Sequence, residues 1–179
     1  MEQPNQTHNP HRRMAGWMII GVWLLVFGLL TLFFQNYLEK ERNPNQNVAS
    51  AISAAGVHEV TLKRNRFGHY NVTGKINGHK VEFLLDTGAT HIAVPSRVAK
   101  RIGLQRLYET EIHTANGFAR AYGTRLESVS VGEIALSGLK ATITTGMDGE
   151  LVLLGMSFLK NIEFTQRGDL LILRQYPRR

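Results

Sequence analysis

The chain has 179 residues, enough for one domain of ordinary size and an appendage. It contains no cysteine, which excludes a disulfide framework and a thiolate zinc site. Its 21 Lys and Arg against 14 Asp and Glu leave a net charge of +7, but the excess is scattered in small groups such as Lys63-Arg64-Asn65-Arg66, Lys100-Arg101 and Arg178-Arg179. With no aromatic interleaving and no reader motif, no nucleic-acid partner is expected; a basic face beside an anionic membrane is the simpler account.

In chain order, residues 1–13 read as a polar tail and 14–38 as a membrane anchor. No charge occurs from Met14 to Leu38, and Trp17 to Phe34 is almost wholly apolar, a length that spans a bilayer as a helix. The run is too long for a signal-peptide core, and no cleavage site follows it directly. A buried helix of a soluble domain is disfavoured because no polar stripe is left to face water. Trp17 and Tyr37 suit the two interfaces, and Gly16, Gly21 and Gly28 are tolerated inside membranes. Arg12-Arg13 stands closer to the span than Lys40 and Arg42 do, which together with the terminal amine favours a cytoplasmic N-terminus. Residues 39–56, polar at Asn43-Pro44-Asn45-Gln46-Asn47 and then rich in small residues, read as a linker.

Residues 57–179 read as short strands separated by turn signals, the pattern of a small all-β barrel or sandwich. Val60–Lys63 and Tyr70–Ile76 flank Arg66-Phe67-Gly68-His69, and Asn77-Gly78 joins Ile76 to a strand Lys80–Leu85; both connections have hairpin chemistry. One short helix is expected over Ser96–Ile102, stopped by Gly103. Strands follow near Glu111–Ala115, Phe118–Leu126, Val129–Val131, Ile134–Leu136, Leu139–Thr145 and Leu151–Leu154. Ser157–Lys160 is a helical turn at most, and Gly168-Asp169 closes a last hairpin between Ile162–Thr165 and Leu170–Arg174.

The chemistry concentrates in Phe83-Leu84-Leu85-Asp86-Thr87-Gly88-Ala89-Thr90. Three apolar residues end a buried strand, and Thr-Gly turns the chain directly after Asp86, so one carboxylate sits at a strand end where neighbours can tune its proton affinity. Asp-Thr-Gly alone is also an ordinary turn composition. With its apolar lead-in and the following Ala89-Thr90, the stretch resembles the active-site loop of aspartic proteases, and Leu153-Leu154-Gly155 matches that family's second element. Between them Ala115-Asn116-Gly117-Phe118 carries an Asn-Gly turn signal where the family has its flap.

The resemblance, over roughly Tyr70 to Gln175, is to bacterial membrane-anchored retropepsin-like aspartic proteases. It implies an acid-protease closed barrel and a domain on the periplasmic side of the bacterial inner membrane. Asp occurs only at 86, 148 and 169, and the latter two lie in no such loop, so one chain holds half a site. A homodimer would supply the second carboxylate, since two close carboxylates sharing one proton provide both a base for water and an acid for the scissile carbonyl. The resemblance further implies that Thr87 anchors the paired loops, Gly88 permits close approach, and Leu153, Leu154 and Gly155 back the loop. Residues 115–119 would close over a polypeptide substrate. None of the seven His falls in a ligand spacing, and no metal or cofactor is expected. His91 reads as structural or at a pocket edge. Met156-Ser157 departs from viral members, which place an Arg or Asn there. Two other readings remain: a tethered binding module that keeps the fold without cleaving, and a structural envelope protein in which Asp86 is replaceable.

Overall fold

The computed structural model describes residues 10–114 and 117–177, and the chain divides after Lys40 into a helical unit and a β-rich body. Helix α1 (Pro10–Arg42) runs through the whole apolar stretch, and its part from Gly16 is long and apolar enough to cross a membrane. Its side chains from Trp17 to Leu38 are exposed, and an apolar helix with no polar face is stable against lipid rather than water.

The body contains, in chain order, β1 (Ala49–Ile52), β2 (His58–Lys63), β3 (Asn71–Ile76), β4 (His79–Leu85), β5 (Ile92–Pro95), α2 (Ser96–Arg101), β6 (Tyr108–Thr114), β7 (Gly117–Val131), β8 (Ile134–Thr144), β9 (Leu151–Leu154), α3 (Met156–Leu159), β10 (Glu163–Arg167) and β11 (Leu170–Gln175). Four strands form one sheet in the order β1-β2-β11-β10. The other seven run β3-β4-β9-β5-β8-β7-β6, and a second pairing of β3 with β7, through Lys75↔Ser130 and Ile76↔Val129, closes a barrel. The expected all-β closed barrel is therefore present, with α2 where the short helix is expected and α3 as a second, single-turn helix. Phe83, Ile92, Val94, Leu126, Ile143, Val152, Leu154 and Phe158 form its buried core.

Local chemistry accounts for the tight turns. Asn77 (φ 48°) and Gly78 (φ 81°) link Ile76 to His79 across β3 and β4 in the two-residue turn whose twist matches that of the strands. Pairing between distant residues overrides it elsewhere. The expected hairpin at Arg66–His69 is instead a corner, because β2 and β3 lie in different sheets. Asn65 shapes that corner, its Oδ1 accepting the N–H of Phe67 at 3.0 Å and of His69 at 2.9 Å. The four short strands expected between Phe118 and Thr145 are two long ones, β7 and β8, paired from Ala121↔Thr144 to Val131↔Ile134. Ser128 and Ser137, which fall in the gaps between the expected strands, face each other in the ladder. Strand β5 has no sequence signal of its own: four residues buried on both faces show no alternation and run straight into Pro95-Ser96.

The expected linker over 39–56 also differs. Helix α1 persists to Arg42, and the chain after it is docked on the body. Asn43 and Asn45 are buried. Asn45 Nδ2 donates to the carbonyls of Lys63 (2.9 Å) and Asn71 (2.7 Å), while its Oδ1 accepts the N–H of Lys63 at 2.7 Å. Asn43 Nδ2 donates to Thr73 Oγ1 at 3.2 Å, and β1 pairs with β2. An amide carries both donors and an acceptor, so Asn45 satisfies backbone groups left open where β2 and β3 diverge, while Asn43 ties the strap to a side-chain hydroxyl on β3. Asn45→Ala leaves those groups unpaired in a buried place and is expected to destabilise the body by about 2–4 kcal/mol. Urea unfolding of the full chain in detergent measures this; a change within error would mean that the strap is only loosely held.

Candidate active site

Strand β4 buries Val81 and Phe83 and pairs in parallel with β9, Leu84 against Leu153 and Leu85 against Leu154. The Asp86 N–H adds one more bond at the strand end, donating to Leu154 O at 3.3 Å. The chain must then turn, because its next strand, β5, lies on the other side of β9, with Ala93 opposite Leu153. Residues 86–91 therefore cross over the end of β9. Within the crossing, the Gly88 N–H donates to Asp86 Oδ1 at 2.8 Å and the Ala89 N–H to Asp86 O at 3.3 Å. The loop thus holds its own carboxylate in place.

Gly155 lies directly under the crossing. A methyl group there would stand 2.5 Å from Ala89 O and 2.3 Å from His91 O, so only a residue without a side chain lets the two segments touch. Helix α3 completes the support: the N–H groups of Met156 and Ser157 donate to Ala89 O (2.8 Å) and Thr90 O (3.0 Å), and the Ile92 N–H donates to Ser157 Oγ at 3.0 Å. Ser157 is a contributor that the motif did not announce. Its only sequence signal is its place two residues after Gly155.

Asp86 and Ala89 are half-buried, whereas Thr87, Gly88 and Thr90 are exposed. Leu153 and Leu154 pair with the strands on either side of the loop, as given above. His91 is half-buried, with Nδ1 enclosed and without a hydrogen-bond partner among the described residues. At the hairpin expected as a flap, Thr114 pairs with Gly117 across β6 and β7, Gly117 has φ 102°, and Phe118 is 77% exposed. Ala115 and Asn116 lie outside the described residues. Among the described residues Asp86 makes no ion pair. One carboxylate with no charged partner can act as base or as acid, but it cannot be ionised and protonated at the same moment.

A closed barrel whose Asp-Thr-Gly loop crosses above a glycine has the fold of an acid protease. Comparison with known proteins agrees. The family model described as "gag-polyprotein putative aspartyl protease" matches residues 72–161. A protein from the cobV 5′ region of a Sinorhizobium species is 33% identical over 176 residues, 92% of this chain and 76% of that one. A Rickettsia prowazekii protein is 30% identical over 165 residues, 90% of this chain and 70% of its own length. The crystal structure of a retropepsin-like aspartic protease from Rickettsia conorii superposes with a TM-score of 0.59 at 32% identity, covering 72% of this chain and 96% of that one. The chain belongs to the bacterial retropepsin-like aspartic protease family.

Proposed function

We propose that the protein is a membrane-anchored aspartic endopeptidase that cleaves polypeptides as a homodimer, each copy contributing Asp86 to one shared site. The observation that carries this reading is the placement of Asp86. It is a single half-buried carboxylate at a barrel strand end, its Oδ1 held by the Gly88 N–H at 2.8 Å, in a chain that supplies no second such loop. Two like charges about 3 Å apart cannot both ionise easily, so a pair of Asp86 side chains retains one proton between them. The ionised member takes a proton from water, and the protonated member donates a hydrogen bond to the scissile carbonyl. The two titrate as a unit.

In this reading Thr87 steadies the paired loops, and Leu153, Leu154 and Gly155 hold them from behind. The hairpin around Ala115, Asn116, Gly117 and Phe118 folds over an extended substrate and excludes water. Residues 1–13 stay in the cytoplasm, 14–38 anchor the chain in the bacterial inner membrane, and the protease body lies in the periplasm. Confinement by the anchor raises the effective concentration of the half-sites.

The test is dominance by an inactive copy. Wild type and Asp86→Asn chains, mixed equally and allowed to exchange, should retain about a quarter of the wild-type activity, because only one dimer in four keeps both carboxylates. Independent monomers would retain about half. An inactive variant that merely dilutes the wild type would exclude the shared site.

A further inference from the structure

The corner between β2 and β3, Arg64-Asn65-Arg66-Phe67-Gly68-His69, is bonded to the stretch of chain that follows the apolar run. Asn65 is its only buried member. Its Nδ2 donates to the Arg42 carbonyl at 2.9 Å, its Oδ1 accepts the N–H groups of Phe67 and His69, and its backbone N–H donates to His69 O at 2.8 Å. Asn45 adds bonds to both the carbonyl and the N–H of Lys63, at 2.9 and 2.7 Å. Residues 42–45 and 63–69 are thus fixed to each other, and the corner cannot leave the chain that emerges from α1.

We infer that this corner is a second membrane contact, a docking surface for the headgroups of an anionic bilayer that holds the β-rich body down beside its anchor. The inference rests on the reading of residues 14–38 as a membrane span. Helix α1 rises only about 6 Å from Leu38, the end of the uncharged run, to Arg42, and one headgroup layer is about as thick. This bound holds whatever angle the helix makes with the body. The Arg42 carbonyl, and the Asn65 amide bonded to it, therefore lie within reach of the headgroups.

The exposed side chains of the corner match that depth. Phe67 is 58% exposed, and the Arg66 guanidinium carbon lies 4.8 Å from its ring centroid. One exposed aromatic is ordinary on a protein surface, but this one is held out by a turn that Asn65 bonds from inside, and it carries a cation on its face. In a bilayer interface such a ring enters the border of the hydrocarbon while the guanidinium forks onto a phosphate. Arg42 and Lys63 are exposed as well, and with Arg66 they make no ion pair among the described residues. Arg64 differs, being paired with Asp169. In residues 41–45 and 63–69 these three unpaired cations stand against Glu41 alone, and each is worth about fivefold in partition onto an anionic surface.

The chain has no cysteine, so a fluorophore on one introduced thiol reports a single place. In the full chain reconstituted in lipid nanodiscs, the label is put at His69→Cys in the corner, at Leu25→Cys in the anchor, or at Glu133→Cys. Glu133 is exposed, and its carbonyl lies 2.7 Å from Nδ1 of His58, at the far end of β2 and about 17 Å along that strand from Lys63. In discs containing phosphatidylglycerol, lipids spin-labelled near the headgroup should quench the label at position 69 several-fold more than the label at 133. High salt, or discs of phosphatidylcholine alone, should remove most of that difference. Lys63→Gln and Arg66→Gln should each lower the docked-to-free ratio about fivefold, whereas Arg66→Lys should not, and Phe67→Ser should weaken docking in both lipids. Melting temperatures should stay unchanged, because all three side chains lie outside the core. Equal quenching at 69 and 133, with the label at 25 quenched by lipids spin-labelled deep in the acyl chain, overturns the corner contact and leaves the anchor standing. No deep quenching at 25 overturns the anchor and the contact with it. Quenching at 69 that ignores lipid charge and Arg66→Gln also overturns the headgroup docking. Cleavage enters none of these readings, so the protease proposal stands or falls separately.

Discussion

Asp86→Asn is expected to lower kcat for peptide hydrolysis by about a thousandfold or more while leaving the fold almost unchanged. General acid–base catalysis contributes about 10²–10⁴-fold, and an amide can neither take a proton from water nor release one to the substrate. The loop itself should survive. Its internal bond runs from the Gly88 N–H to Asp86 Oδ1 at 2.8 Å, and asparagine keeps a carbonyl oxygen at that position. Stability should stay within about 0.5–1 kcal/mol, the usual range for a half-exposed, nearly isosteric change. Steady-state hydrolysis of an unstructured peptide substrate, with thermal unfolding of the same preparations, separates the two effects. Cleavage retained by purified Asp86→Asn would end the protease reading of this loop, whereas no cleavage by the wild type under the same conditions would leave the tethered binding module as the account of the fold.

Gly155→Ala should do the reverse and damage the fold as much as the activity. The new methyl carbon would meet His91 O at 2.3 Å and Ala89 O at 2.5 Å, both backbone atoms of the crossing loop rather than the ends of flexible side chains. The loop can only lift. That breaks the bonds from Met156 to Ala89 (2.8 Å) and from Ser157 to Thr90 (3.0 Å) and carries Asp86 away from its place. Overpacking of this kind costs about 1–3 kcal/mol and occasionally more, and the lost bonds put Gly155→Ala at or above the upper end. Gly88→Ala is the contrast, because its methyl carbon meets only Asp86 Oδ1, at 3.1 Å. It should fold nearly as well as wild type. Urea midpoints for the two variants measure the difference; equal midpoints would mean that the crossing is soft and that Gly155 is not its support.

The parts of this protein legible in the sequence are those decided by neighbours along the chain. An apolar run meeting Asp86-Thr87-Gly88 marks a strand that ends in a carboxylate-bearing turn, whatever surrounds it. Asn77-Gly78 and Gly168-Asp169 announce hairpins because their backbone preferences are local, and an uncharged run from Met14 to Leu38 needs no partner to be recognised as apolar on every side. Leu153-Leu154-Gly155 was visible as a motif, but the reason for its glycine was not. That reason is the insertion of β9 between β4 and β5, which forces the Asp86 loop across it. Tertiary structure alone decided this, along with the separation of β2 and β3 into different sheets, the docking of Asn43 and Asn45, and the support from Ser157. In each case the deciding bonds join residues far apart in sequence, such as Asn45 to Asn71 or Ile92 to Ser157. Asparagine and serine have the same composition signal in a solvated loop as in a buried strap. Only the backbone groups that the fold leaves open around them determine which of the two they become.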